Sequence, residues 1–247
     1  MSIKTTLNYS PNFYSFKRKT KEVKFIIFHY TGMKKESAAI NRLTNIQSEV
    51  SCHYLIKNNG EIITLVPDLY ISWHAGRSSW KNYKSLNKNS IGIEITNLGH
   101  KFNYKKFSKK QIVSLLILSK FLIKKYNINQ KNILGHSDIA PERKKDPGEK
   151  FPWKYLAKNK ISLWHNLQAK NLKNVRSCKI NDIDKKIFFN NVFKIGYSKK
   201  TPKNISNDKY QVFIIKAFQR RYRQELIKGK IDKECLLISE NLLKKHN

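Results

Sequence analysis

Two short apolar runs in this chain each deliver a histidine at the point where the run stops. Phe25-Ile26-Ile27-Phe28 leads into His29 before the turn-like Tyr30-Thr31-Gly32, and Asn132-Ile133-Leu134-Gly135 leads into His136. A bulky apolar run bounded by a break reads as a buried strand, and a side chain at its last position is held firmly at a sheet edge. Asp146 stands directly before Pro147-Gly148, a pair that fixes the direction of the backbone. A fold that brings these strand ends and this loop together assembles two imidazoles and a carboxylate. Such a set leaves a fourth zinc position for water, as a hydrolase requires and a closed structural site does not. Taken singly, a histidine after a strand is more commonly a hydrogen-bonded structural residue, so the spacing alone is a modest signal.

Five blocks in fixed order strengthen it. They are Phe28-His29-Tyr30-Thr31, Ser51-Cys52-His53-Tyr54-Leu55-Ile56, Trp73-His74-Ala75-Gly76-Arg77, Asn89-Ser90-Ile91-Gly92-Ile93-Glu94, and Gly135-His136-Ser137-Asp138-Ile139-Ala140-Pro141 continuing to Lys144 and Asp146-Pro147-Gly148. In these blocks the chain resembles the zinc-dependent N-acetylmuramoyl-L-alanine amidases of the type 2 amidase family, relatives of the peptidoglycan recognition proteins. The resemblance implies Zn2+ on His29, His136 and Asp146, with Glu94 and Lys144 catalytic. The implied reaction is hydrolysis of the amide between N-acetylmuramoyl, or its 1,6-anhydro form, and L-alanine in peptidoglycan or muropeptides. The alternative is a recognition module that keeps the fold without catalysis; such modules typically lose a metal ligand, whereas all three stand here.

Elementary chemistry agrees with those roles. Amide hydrolysis needs a nucleophilic water, stabilisation of a tetrahedral oxyanion and a proton for the departing amine. In Ile91-Gly92-Ile93-Glu94-Ile95 a period of two sets Glu94 on the face opposite Ile93 and Ile95, where a carboxylate can shuttle that proton. Lys144, two residues before Asp146, brings an ammonium near the polarised carbonyl. His74 reads as a substrate contact or proton-relay group beside the cleft, Tyr54 as core or cleft wall, and Arg77 as a further substrate contact. His53 reads as organising the site or the sheet, and Arg143 as pairing with substrate carboxylates or with nothing. His100, His165 and His246 show no ligand-like setting.

The elements imply an α/β fold, a mixed central β-sheet flanked by helices, with a small C-terminal three-helix domain. Residues 1–165 are expected to form the catalytic domain. It contains strands at Lys24 to His29 and Ile91 to Thr96, a helix near Glu36 to Thr44, and a hairpin over 53–66 turning at Asn58-Asn59-Gly60. An amphipathic helix capped by Ser108 follows. The irregular stretch Trp80 to Asn89 is a candidate cleft loop. Residues 166–247 carry helical spacing at Asp182 to Phe193, Lys209 to Arg223 and Lys233 to Lys244, and resemble a degenerate three-helix peptidoglycan-binding domain. They lack the familiar Thr after Gly229-Lys230-Ile231-Asp232.

Composition bounds the rest. The 247 residues carry 50 Lys and Arg against 17 Asp and Glu, a formal charge of +33. Such a charge attracts polyanions, but there is no finger, helix-turn-helix signature or arginine-rich arm, so no specific nucleic acid is expected. Carboxylates of peptidoglycan stems are an equal use for the charge. The three cysteines, Cys52, Cys178 and Cys235, are odd in number and scattered, and imply no disulfide framework. With no apolar run long enough for a membrane span and no recognisable signal peptide, a cytoplasmic location is the sequence default, with the periplasm or cell envelope as the alternative. Nothing in the sequence fixes the oligomeric state.

Overall fold

The computed structural model of the protein describes residues 3–246. In chain order the elements are β1 (Thr6–Leu7), β2 (Phe13–Tyr14), β3 (Phe25–Tyr30), α1 (Glu36–Thr44), β4 (Tyr54–Ile56), β5 (Ile62–Thr64), β6 (Ile71–Ser72), β7 (Ser79–Trp80), β8 (Tyr83–Lys84) and β9 (Ser90–Ile95). There follow α2 (Lys109–Tyr126), β10 (Ile133–Gly135), α3 (His136–Ile139), α4 (Trp153–Lys158), α5 (Ala169–Val175), α6 (Asp182–Ile195), α7 (Asn207–Tyr222) and α8 (Lys233–His246).

Six strands form the central sheet in the order β1-β5-β4-β9-β3-β10. The pairs β4–β9, β9–β3 and β3–β10 are parallel, while the hairpin β4–β5 is antiparallel, so the sheet is mixed as expected. Gly60 takes the positive φ of 88° that the hairpin turn needs. In β3 and β9 the register sets His29 beside Glu94 and Ile27 beside Gly92. Alternation then sorts the two faces. Ile26, Phe28, Ile91, Ile93 and Ile95 join Leu115, Leu118 and Leu122 of α2 in one core. The long helix is started by a capping box between Ser108 and Gln111 and stopped by Asn127 in the left-handed region.

Phe25, Ile27 and Leu134 point to the other face, where they join Phe188, Val192, Ile214, Phe218 and Leu242 of α6, α7 and α8 in a second core. The three expected C-terminal helices therefore form a layer on the sheet, with the short α5 added. Trp80 and Leu86, from the stretch expected to form a cleft loop, are buried in this same core. That expectation is corrected: Trp80 packs on Tyr197 with ring centroids 5.0 Å apart, and it lies so close to Gly196 that a Cβ there would come within 2.3 Å of it. A large aromatic side chain in a polar stretch is thus the plug joining loop to helical layer.

One polar strut crosses the same interface. Asp138, 1% exposed, accepts from the Arg221 guanidinium at 2.6 Å, from the Tyr197 hydroxyl at 2.8 Å and from the Gly135 N–H at 2.8 Å. Arg221 also donates to the Ile133 carbonyl at 2.9 Å and lies 4.4 Å from the centre of the Trp153 ring. The helical layer is in this way bonded to the segment that carries His136. A buried charge left without its partner is strongly destabilising. Arg221→Ala should therefore cost about 3–5 kcal/mol, read as the loss of unfolding free energy in urea titrations of the two proteins.

Candidate metal centre

The carboxyl ends of parallel strands are where a sheet of this kind opens to ligands. His29, at the end of β3, is 1% exposed, and His136, directly after β10, is 2% exposed. His29 Nδ1 and His136 Nδ1 lie 2.9 Å apart, and each lies 3.0 Å from Asp146 Oδ2. Asp146 is brought there by its own loop, whose backbone is bonded to the histidine segment by the Ser137 N–H donating to the Asp146 carbonyl at 2.8 Å. These are the three donors that could hold a metal ion together.

The surrounding hydrogen bonds determine which face of each ring carries a proton. The Ser90 hydroxyl donates to the Leu86 carbonyl at 2.6 Å, so its oxygen is left to accept from His74 Nε2 at 3.1 Å. His74 Nδ1 then accepts from His29 Nε2 at 3.0 Å, which leaves the His29 Nδ1 lone pair pointing at Asp146. His136 Nε2 lies 3.2 Å from the Ala75 carbonyl, which can only accept, and 3.4 Å from Arg143 Nη2, which can only donate; with the proton placed on Nε2 for the shorter contact, Nδ1 is likewise a bare lone pair. Two lone pairs and a carboxylate oxygen converge with no hydrogen between them. A cation is what such an arrangement fits, and imidazole with carboxylate is a donor set suited to zinc.

The charge states agree. Burial first, then the neighbouring His136, pulls the His29 imidazole down to about 4, so the ring is neutral at ordinary pH. Burial alone would raise Asp146, but His136 and His29 outweigh it and hold the carboxyl well below the usual carboxylate range. Burial also pulls His74 far down, with His29 and His53 adding to the effect. Neutral rings and an ionised carboxylate are the forms that bind metal.

A cleft of about 610 Å³ is lined by two of the three donors, His136 and Asp146. Glu94 and Lys144 both line it. Glu94 Oε2 is buried without a hydrogen-bond partner, and burial, with the charge of Asp146 second, pushes the carboxyl up to about 8 against the opposing pull of Lys144. An orphaned carboxylate oxygen beside a convergent lone-pair set can be satisfied by a water that a cation also holds.

The expected substrate contacts fare differently. His74 lines the cleft, but both of its nitrogens are engaged, so the contact expected with substrate is replaced by one with His29. Tyr54 takes the core alternative and not the cleft wall or a substrate contact. It faces the α2 core, where its hydroxyl donates to Asp68 at 2.5 Å, because alternation along β4 turns it away from the face that carries Glu94. Arg77 is exposed and lines a separate groove of about 720 Å³ with Lys81, Lys199 and Tyr210. Its neighbour in space, Arg143, lines the cleft instead and donates to the Ala75 and Arg77 carbonyls at 2.5 and 2.6 Å. His53 is fully buried, accepting the Gly92 N–H at 3.0 Å and the Ser72 hydroxyl at 2.8 Å, so it ties strands together as expected.

Sequence reasoning missed His100. Its ring lines the cleft, with Nδ1 2.8 Å from the Tyr30 hydroxyl and Nε2 2.9 Å from Glu149. No local pattern reveals this, since its partners come from the end of β3 and from the loop after Gly148. Trp73, Arg42 and Lys101 complete the wall.

Comparison with known proteins was made against this geometry. A family model described as N-acetylmuramoyl-L-alanine amidase matches residues 19–149. The N-acetylmuramoyl-L-alanine amidase AmiD of Escherichia coli (strain K12) is 34% identical over 239 residues, covering 91% of this chain and 83% of the relative. The 1,6-anhydro-N-acetylmuramyl-L-alanine amidase AmpD of the same organism is 39% identical over 104 residues, 42% of this chain and 55% of the relative. A solved structure of E. coli AmiD with anhydro-N-acetylmuramic acid-L-Ala-D-gamma-Glu-L-Lys superposes with a TM-score of 0.79 at 33% identity, covering 91% of this chain and 90% of the other. AmpDh3 of Pseudomonas aeruginosa gives a TM-score of 0.78 at 31% identity, covering 94% and 96%.

Two outcomes follow from the hydrogen bonds and charges. His74→Phe removes the acceptor that orients His29 and should weaken zinc binding about 10- to 100-fold, as read by competition with a chromogenic chelator. In the metal-free protein the raised Glu94 carboxyl keeps a proton that the unfolded chain has released. Its contribution to stability is therefore present below the ordinary value of 4.5 and is lost as pH rises towards about 8. Glu94→Gln escapes this loss, so its stability advantage over wild type in urea melts with chelator should widen from pH 5 to pH 8.

Proposed function

We infer the chemistry of this cleft from the family to which the chain belongs, the N-acetylmuramoyl-L-alanine amidases. The chain is a hydrolase that cuts the amide between the N-acetylmuramoyl lactyl group and L-alanine. Muropeptides, including the 1,6-anhydro-muramoyl form, are its substrate class, a reading supported by the ligand named with the E. coli AmiD structure. The observation that carries the assignment is the convergence of two imidazole lone pairs and the Asp146 carboxylate beside the unpartnered Glu94 oxygen.

His29, His136 and Asp146 are the ligands in this reading, and zinc is the metal. When bound there, zinc lowers the pKa of a coordinated water and polarises the scissile carbonyl. Glu94 would take a proton from the attacking water and pass it to the amine nitrogen of L-alanine as the C–N bond breaks, a role suited to a carboxyl whose affinity for protons burial has increased. Lys144 supplies positive charge to the carbonyl oxygen as it becomes negative. Arg143 keeps the Ala75 to Arg77 segment against the His136 side of the cleft. His74 and Ser90 keep the His29 lone pair directed inward. Residues 1–165 form the catalytic unit, and residues 166–247 are a helical unit that supports the metal loop through Asp138.

The deciding experiment is mass spectrometry of a defined muropeptide and its anhydro counterpart, incubated with zinc-loaded protein, with chelator-treated protein and with Glu94→Ala. Release of an intact stem peptide beginning with L-alanine is expected only from the zinc-loaded wild type, with the Glu94 variant slower by about 100-fold or more. Binding of the muropeptide without cleavage by the zinc-loaded protein would replace the enzyme by a recognition module.

A further inference from the structure

Outside the cleft, the aromatic side chains that the fold leaves in contact yet uncovered lie on one strand and the loop beside it. Tyr14 and Phe16 are 45% and 58% exposed. Their rings stack with centroids 5.7 Å apart and planes at 26°, and Tyr14 in turn meets Trp73 edge to face at 5.6 Å. β2 is held in place by its antiparallel pairing with β6, Tyr14 opposite Ile71, so this row is attached to the body of the protein. Trp73 is also a wall of the catalytic cleft. The row Trp73–Tyr14–Phe16 therefore begins inside the cleft and continues outward across the surface.

The walls of the cleft differ in chemistry. Ala39, Leu43, Val50 and Trp73 contribute apolar surface, with the cation of Arg42 among them, while His100, Lys101, Lys144 and Lys145 contribute polar and cationic surface. The two halves of the substrate differ in the same way. The stem peptide carries the free α-carboxylate of a γ-linked glutamate, which belongs with the lysines. The sugar carries C–H faces and no charge on its ring, which belong with aromatic planes. Exposed, mutually contacting aromatic rings on a chain this basic are a surface for a neutral apolar face, and a contiguous exposed apolar patch marks an interaction site.

We propose that Trp73, Tyr14 and Phe16 form an aromatic track for the glycan strand, against whose uncovered surface the C–H faces of pyranose rings beyond the muramoyl residue in the cleft pack. The proposal rests on the amidase reading of the cleft and deepens it, because a track longer than one sugar selects oligomeric glycan over a released monomeric muropeptide.

The test uses the full chain and the double variant Tyr14→Ala, Phe16→Ala, both changes at exposed positions. A peptide-free oligosaccharide of alternating N-acetylglucosamine and N-acetylmuramic acid is titrated into chelated protein by calorimetry. Binding to wild type and a loss of about tenfold in the variant, roughly 1.4 kcal/mol, are expected. In the zinc-loaded proteins, the ratio of KM on peptide-bearing oligosaccharide to KM on monomeric muropeptide should rise by a similar factor. Equal oligosaccharide affinity in the two proteins, or none in wild type, overturns the track. A wild type that sediments as a dimer while the variant is monomeric would also overturn it and make the patch a self-association face. If neither protein cuts either substrate, the amidase reading has failed, while the calorimetry still decides the track.

Discussion

Parallel pairing of β3 with β9 on one side and β10 on the other is the constraint on which the rest depends. It ends three strands at the same edge, with His29 beside Glu94 and Gly135 beside Phe28. Side chains alternate along a strand, so a slip of one residue in β9 would turn Glu94 into the α2 core and bring Ile93 or Ile95 to the cleft. The isoleucines at 91, 93 and 95, buried against α2, therefore fix the position of a carboxylate that they never touch. Gly92 has its own place in this register. A Cβ there would come within 2.4 Å of the His74 ring, so absence of a side chain on β9 is what lets His74 lie flat enough to reach both Ser90 and His29.

The site is thus built from outside inward. A serine proton given to a carbonyl decides how His74 is protonated, His74 decides how His29 is protonated, and the result is a lone pair aimed at the point where the three donors converge. Such a chain of dependence works only in a dry setting, where each polar atom has few competing partners. Dryness is supplied by the layers on both faces. On the His136 side it includes the helical layer, whose Arg221 and Tyr197 reach Asp138 two residues beyond that histidine. The C-terminal helices are therefore part of the support for the reaction centre, whatever else their outer surface binds.

The elements with long periodic signals were legible from sequence. β3, β9, the hairpin, α1, α2 and the three long C-terminal helices lie where the spacing set them, because each is governed by a local pattern of burial. The candidate ligands could be named because each stands at a strand end or a backbone-fixing pair. What was not legible depends on parity or on distant partners. Tyr54 and Glu94 lie on adjacent paired strands, but only the register decides that the tyrosine faces α2. Trp80 sits in a polar stretch and reads as loop until Gly196 arrives to receive it. His100 gains its setting from Tyr30 and Glu149, and Arg143 rather than Arg77 reaches the cleft, donating to the Arg77 carbonyl in a contact between distant parts of the sequence.

The extreme charge takes on a definite form once the acidic side chains are located. Asp68 accepts from Tyr54, Tyr126 and Lys125, Asp138 from Arg221, Asp232 from Arg223, Glu234 from Arg176, and Asp146 faces the histidines. These five carboxylates, of 17, are thus committed to internal structure, four of them beside an Arg or Lys partner, so the net charge left to the exterior stays close to the formal +33. A field of that kind draws in any anionic polymer and does little to orient it, since lysines are spread over the whole surface. Orientation must then come from contacts that charge does not supply. The convergent donors fix the scissile amide, the apolar wall at Trp73 fixes the side from which a sugar enters, and the aromatic row beyond it offers the remaining rings a direction.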